Sequence, residues 1–190
     1  KRYEIKIKNK KIFRQKLYIC SGGLFFLTHD IHREKRKTFM SKRSETAKEL
    51  FLEGYNCSQS VAAAYADAFG IDREIMLRMS ASFGAGIGRM RKTCGAVCGM
   101  FIIAGLKTGA TVGADQEGKR KNYEIVRAMA DAFRERNQSI TCMTLLGLRK
   151  AEKSARPSDR TPDYYKSRPC LKMILDACDI VEEFFPDLAR

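Results

Sequence analysis

Histidine is nearly absent from this chain, tryptophan is wholly absent, and no two cysteines stand in a CxxC pair. The only histidines, His29 and His32, precede Met40. From Met40 onward there is therefore no Cys–His or Ser–His dyad, no histidine base and no zinc site of the mixed cysteine–histidine kind. The glycine-rich stretch FGAGIGRMRK (83–92) lacks a GK[ST] ending and follows no strand pattern. That excludes the P-loop and dinucleotide-fold contexts. It reads instead as a tight turn delivering the chain to Cys94, whose amides and two arginines could hold a small anion beside the thiol. Proline is scarce too, and three of the four fall within 148–169. That segment is expected to cross the surface as a loop or linker.

What is present is charge, much of it at one end. Twelve of the 36 Lys/Arg and three of the 22 Asp/Glu lie in residues 1–39, a surplus of nine out of a net +14. Such a run can meet nucleic acid or an anionic surface. Without interleaved aromatic and glycine patterning it points to no specific nucleic acid. An eleven-residue apolar patch, LYICSGGLFFL, lies inside this segment and resembles the middle of a secretory signal. HREKRKTF follows where a small-residue cleavage site belongs, and the patch is too short to span a bilayer. Residues 1–39 are thus expected to be a basic extension outside the core. Residues 40–190 would be one helical domain, with the cytoplasm as default compartment.

From Ser44 onward the apolar period is helical. A first helix carries Ala47, Leu50, Phe51 and Tyr55 on one face. A second spans about Cys57 to Phe69, with Val61, Tyr65, Ala68 and Phe69 inward, and Gly70 ends it. Asp72 caps a third, with Ile75, Met76, Met79 and Phe83 as its apolar set. Thr93 caps a fourth that has no charge from Cys94 to Leu106, and a helix apolar all round belongs in a core. A long helix runs from about Asp115 to Arg136. A short one runs from Thr141 to Gly147, and the last spans about 168–185 before Pro186. The expected fold is all-α, a single compact bundle of six or seven helices around a Gly/Ala/Cys-rich one.

Four of the seven cysteines share one position on this map. Cys57 follows Asn56, Cys94 follows Thr93, Cys142 follows Thr141, and Cys170 follows Ser-Arg-Pro, in which Ser167 can cap. Each falls in a helix's first turn, where unpaired N–H groups and the positive dipole end favour a thiolate. Cysteine pKa values there can fall to roughly 3.5–7.5 from about 8.5. Arg89, Arg91 and Lys92 make Cys94 the expected strongest thiolate. Cys98 and Cys178, mid-helix on apolar faces, read as packing residues. Gaps of 36, 47 and 27 residues separate the four, so tertiary folding must assemble any site. Spacing alone leaves disulfides, a four-thiolate zinc centre and an iron–sulfur cluster all open.

EGYNCSQSV, SASFGAGIGRMRKTCGAVCG, ITCMTLLG and YYKSRPC, in this order, resemble the C_GCAxxG_C_C family of redox-active proteins over roughly residues 41–182. The CGAxxG core is Cys94-Gly95-Ala96-Val97-Cys98-Gly99. The resemblance implies a bacterial or archaeal helical protein whose four characteristic cysteines map to Cys57, Cys94, Cys142 and Cys170. It also implies a redox or transport-associated partner. The leading expectation is a thiol oxidoreductase working by disulfide exchange or electron transfer. The first rival is a protein holding zinc or an iron–sulfur cluster on the same four thiolates. The second is a helical interaction module whose cysteines only pack. Small-residue helix faces are compatible with a homodimer.

Overall fold

The computed structural model describes residues 40–150 and 153–189. The basic extension expected over 1–39, with Cys20 and both histidines, lies outside the described residues. Among those described there are eight α-helices and no strand. They are α1 (Lys42–Leu52), α2 (Cys57–Ala63), α3 (Arg73–Ala81), α4 (Gly95–Thr108), α5 (Gln116–Asn137), α6 (Cys142–Leu145), α7 (Pro162–Ser167) and α8 (Cys170–Phe184). Two 3-10 turns, Asp67–Phe69 and Pro186–Leu188, complete the set. No helix among the described residues is long and apolar enough to cross a membrane.

The bundle is organised by α4, which packs on α2, α5 and α8, while α8 also packs on α1. Burial of Ala96, Val97, Met100, Ile103 and Ala104 explains why this helix carries no charge before its last turn. Its glycines set how closely α2 approaches. A Cβ on Gly99 would meet Val61 Cβ at 2.8 Å and the Ser58 carbonyl at 2.9 Å. A Cβ on Gly95 would come within 3.2 Å of Cys57 Cβ. Small residues here bring the start of α4 against the start of α2, each of which carries a candidate cysteine.

Several boundaries differ from the sequence pattern. The first helix is capped by Ser41, whose hydroxyl accepts from the Ser44 amide at 3.1 Å, so Ser44 lies inside it. The second ends at Ala63, because the chain tightens into the 3-10 turn before left-handed Gly70, and Ala68 points to solvent. On α3 only Met76 of the expected apolar set is buried; Ile75, Met79 and Phe83 are exposed. A nine-residue helix packed chiefly against α2 buries too narrow a stripe for Ile75 and Met79, and Phe83 lies beyond its end. The segment 148–169 is not all loop. Thr161 caps α7 over PDYYKS, its hydroxyl accepting from the Tyr164 amide. Ser167 therefore ends α7, and Pro169 is the cap position of α8.

Candidate functional site

Asn56 fixes the first candidate. Its side-chain oxygen accepts from the Ser58 and Gln59 amides at 3.0 and 3.1 Å, while the Gln59 side chain accepts from the Asn56 amide. This capping box starts α2 at Cys57. Gly84 leaves room for the Asn56 side chain, since a Cβ there would fall 2.2 Å from Asn56 Cγ.

Cys94 and Cys142 are brought together by backbone. The Cys94 amide donates to the Ile140 carbonyl at 2.8 Å, and the Cys142 amide to the Lys92 carbonyl at 2.6 Å. These bonds flank an isolated antiparallel bridge between Thr93 and Thr141. Thr93 is thus occupied by this bridge, and Cys94 itself takes the cap position of α4. The chain reaches the bridge through an unusual turn. Residues Ala85, Gly86, Ile87, Gly88 and Arg89 all have φ between +53° and +77°, and Arg91 follows at +60°. For non-glycine residues that conformation costs about 1–2 kcal/mol each. Gly86 has a steric reason as well, because a Cβ there would lie 2.6 Å from Cys142 Cβ.

Cys170 opens α8, just after Arg168 and Pro169. The preceding segment is clamped to the end of α1. Arg160 Nη2 donates to the Tyr55 carbonyl at 3.1 Å, and the Tyr165 hydroxyl donates to the Phe51 and Leu52 carbonyls. Phe51 and Tyr165 meet edge to face at 5.5 Å.

Cys57, Cys94, Cys142 and Cys170 all line one cavity of about 50 Å³, together with Arg91, Arg160, Arg168 and Tyr164. Cys98 and Cys178 are buried among core side chains and do not line it. The four are electrostatically unequal. Burial pushes Cys94 up to about 12 against the favourable pull of the Ala96 and Val97 amides. The expectation that Cys94 is the strongest thiolate is therefore corrected. At 5 % exposure, loss of water outweighs the helix terminus. Arg91 reaches Cys142 instead, with Nη1 at 4.0 Å from its sulfur. Even so, burial leaves the Cys142 thiol raised. Cys57 is raised well above its ordinary value, first by its hydrogen bond to Cys170 and then by burial. Cys170 alone moves down, to about 7. The neighbouring Cys57 is the first cause, and Arg168, Arg160 and Arg91 add positive charge. It is also the one described cysteine that is not fully buried.

The family profile described as "Putative redox-active protein (C_GCAxxG_C_C)" matches residues 55–184, more than half of the chain. The chain belongs to this family. No curated protein and no solved structure matches it. In the C_GCAxxG_C_C frame, the glycines of the CGAxxG core are the close-approach positions Gly95 and Gly99, and Cys94 and Cys57 lie on either side of that approach. Among the described residues, no three His, Cys, Asp or Glu side chains are grouped so as to hold a metal ion. The four sulfurs share a cavity without forming a ligand set. Sequence patterning passed over Arg160, Arg168 and Tyr164. Tyr164 and Arg168 stand in the YYKSRPC motif, without a role that its spacing assigns.

Proposed function

We propose that this member of the family is a thiol–disulfide exchange protein whose working pair is Cys170 and Cys57. The observation that carries this reading is the placement of that pair: a partly accessible Cys170 and a buried Cys57 line one cavity whose wall also carries Arg91, Arg160 and Arg168. The Cys170 thiolate attacks one sulfur of a partner disulfide, forming a mixed disulfide and releasing the other partner sulfur as a thiolate. Cys57 then gives its proton to that departing thiolate and attacks the Cys170 sulfur. The Cys57–Cys170 disulfide forms, the second partner sulfur leaves as a thiolate that takes a proton from water, and the partner is reduced by two electrons as the protein loses two. The reverse sequence oxidises a partner dithiol.

The test is anaerobic treatment of the reduced protein with a small disulfide, followed by mass-spectrometric mapping and metal analysis. The expected products are a Cys57–Cys170 disulfide in the wild type and a trapped mixed disulfide on Cys170 in Cys57→Ala. Labelling of Cys94 or Cys178 as fast as Cys170, or one equivalent of zinc or iron bound to the purified protein, would overturn it.

A further inference from the structure

Of the eight large hydrophobic side chains left exposed among the described residues, four lie within one short stretch: Ile75, Met79, Phe83 and Met90. Exposed apolar side chains scattered singly are ordinary, whereas a group of them marks an interaction surface. Ile75 and Met79 stand one turn apart on the outer face of α3, and Phe83 follows four positions on. The glycine-rich turn then folds back on this end of the helix. The Ile87 amide donates to the Phe83 carbonyl at 3.2 Å and the Gly88 amide to the Ser82 carbonyl at 2.7 Å. The Met90 amide in turn donates to the Ile87 carbonyl at 3.0 Å, which keeps Met90 near the end of α3. Ile87 lies at φ +62°, a conformation that a β-branched side chain rarely adopts. Backbone held against such a cost concentrates at functional sites.

The same turn walls the thiol site. Ala85 lines the cysteine cavity, and Gly84, Ala85 and Gly88 line a second cavity of about 220 Å³ beside it. The two cavities also share Asn56, Tyr164 and Arg168. Exposed apolar side chains and cavity-lining residues thus alternate along 83–90. A molecule resting on Phe83 and Met90 therefore lies next to the cavity that holds Cys170. From Ile75 to Ala114 the chain contains no Asp or Glu and five Lys/Arg. Arg78 is ion-paired with Glu74 one turn back, and Lys92 is exposed. Acidic residues on a partner are attracted to such a surface and basic ones are repelled. Met79 and Met90 add flexible thioether chains that repack against varied apolar shapes.

We propose that Ile75, Met79, Phe83 and Met90 form the docking surface for the protein that exchanges disulfides with Cys170. This partner carries apolar and acidic residues beside its disulfide. That it brings a disulfide rests on the exchange reading, whereas its place of contact rests on α3 and the turn. The substrate class is then protein disulfides in apolar, acidic segments, favoured over small polar disulfides.

The experiment uses the reduced, full-length protein and three short cyclic peptides. One has Leu, Phe and Glu flanking the ring, one has Lys in place of Glu, and one has Ser in place of Leu and Phe. Each ring is closed by a thioether instead of a disulfide, so calorimetry reads binding without exchange. Saturable one-to-one binding of the acidic apolar peptide is expected, tighter by about fivefold or more than that of either counterpart. Met79→Gln and Met90→Gln should each weaken it by about fivefold or more, and Tyr123→Gln, at an exposed position on α5, should leave it unchanged. Oxidation by hydroxyethyl disulfide should proceed equally in the wild type and the three variants, because a small neutral disulfide needs no docking. If that reagent leaves Cys170 reduced while the peptide binds, the exchange reading fails and the surface stands. Absence of saturable binding, equal affinity for the lysine peptide, or wild-type affinity in both methionine variants would overturn the docking surface. A wild-type dimer that dissociates in Met79→Gln would also overturn it, by giving the face to a second copy. Faster trypsin cleavage within residues 1–39 of that variant would do the same, by giving it to the chain's own N-terminal segment.

Discussion

At the scale of single residues, two opposed influences act on every sulfur near the cavity, and the outcome turns on which is larger. Helix starts and arginines favour the thiolate, while burial favours the thiol. At Cys94, with full burial and only amide dipoles to help, burial wins and the value is pushed up to about 12. At Cys170, the neighbouring Cys57 and three guanidinium groups win, and the value falls to about 7. Alkylation by iodoacetamide, followed residue by residue with mass spectrometry, should therefore rise through a midpoint near pH 7 at Cys170. Cys94 and Cys178 should stay unlabelled until far more alkaline pH. A lowered pKa means that deprotonation occurs earlier as pH rises, so the Cys170 rate is lost on acidification below 7. In Cys57→Ala the largest favourable influence is gone, and the Cys170 midpoint should move upward toward the ordinary thiol range. An unchanged midpoint would show that the arginines alone hold the thiolate. The shared helix-start position of the four cysteines is legible in the sequence, because Asn56, Thr141 and the Pro169 turn are local signals. The ranking among them is not, because burial and the destination of each arginine are tertiary facts.

At the scale of helices, the α2–α4 contact is the element on which the cavity depends. Gly99→Ala would drive a methyl group to 2.8 Å from Val61 Cβ and 2.9 Å from the Ser58 carbonyl, against backbone that cannot yield cheaply. Overpacking of this kind costs about 1–3 kcal/mol, and chemical denaturation should report it. The same experiment on Gly105→Ala should give the opposite sign. That position is in the same helix, exposed, and an added methyl would meet nothing within 4 Å, so the helix gains about 0.5–1 kcal/mol. One substitution type, applied six residues apart, thus separates close approach from backbone entropy. Most helices are legible from apolar spacing and caps; α5 matches within a residue at each end because Asp115 caps it and its inward stripe is long. What spacing misses is α3, where exposed Ile75 and Met79 keep the helical period without facing a partner, and α7, hidden in a segment dense with proline and charge.

At the scale of the whole molecule, the working pair joins the start of α2 to the start of α8, closing a loop of more than a hundred residues. Cross-linking positions so distant removes much of the unfolded chain's freedom, by up to about 4–5 kcal/mol in the chain-entropy account. Oxidation should thus act as a stability switch for the bundle, because α8 contacts α1, α4 and α5 as well as α2. The oxidised protein is expected to unfold at higher denaturant concentration than the reduced one, with the difference abolished in Cys170→Ser and retained in Cys98→Ser. Cys98 offers the right contrast, since burial raises its thiol to about 11 and it lies outside the cavity wall. If oxidised and reduced wild type unfold together, any disulfide formed spans a short loop or strains the native state. The pairing of Cys57 with Cys170 would then have to be abandoned, because an unstrained bridge between the starts of α2 and α8 cannot leave the unfolded chain's freedom unchanged.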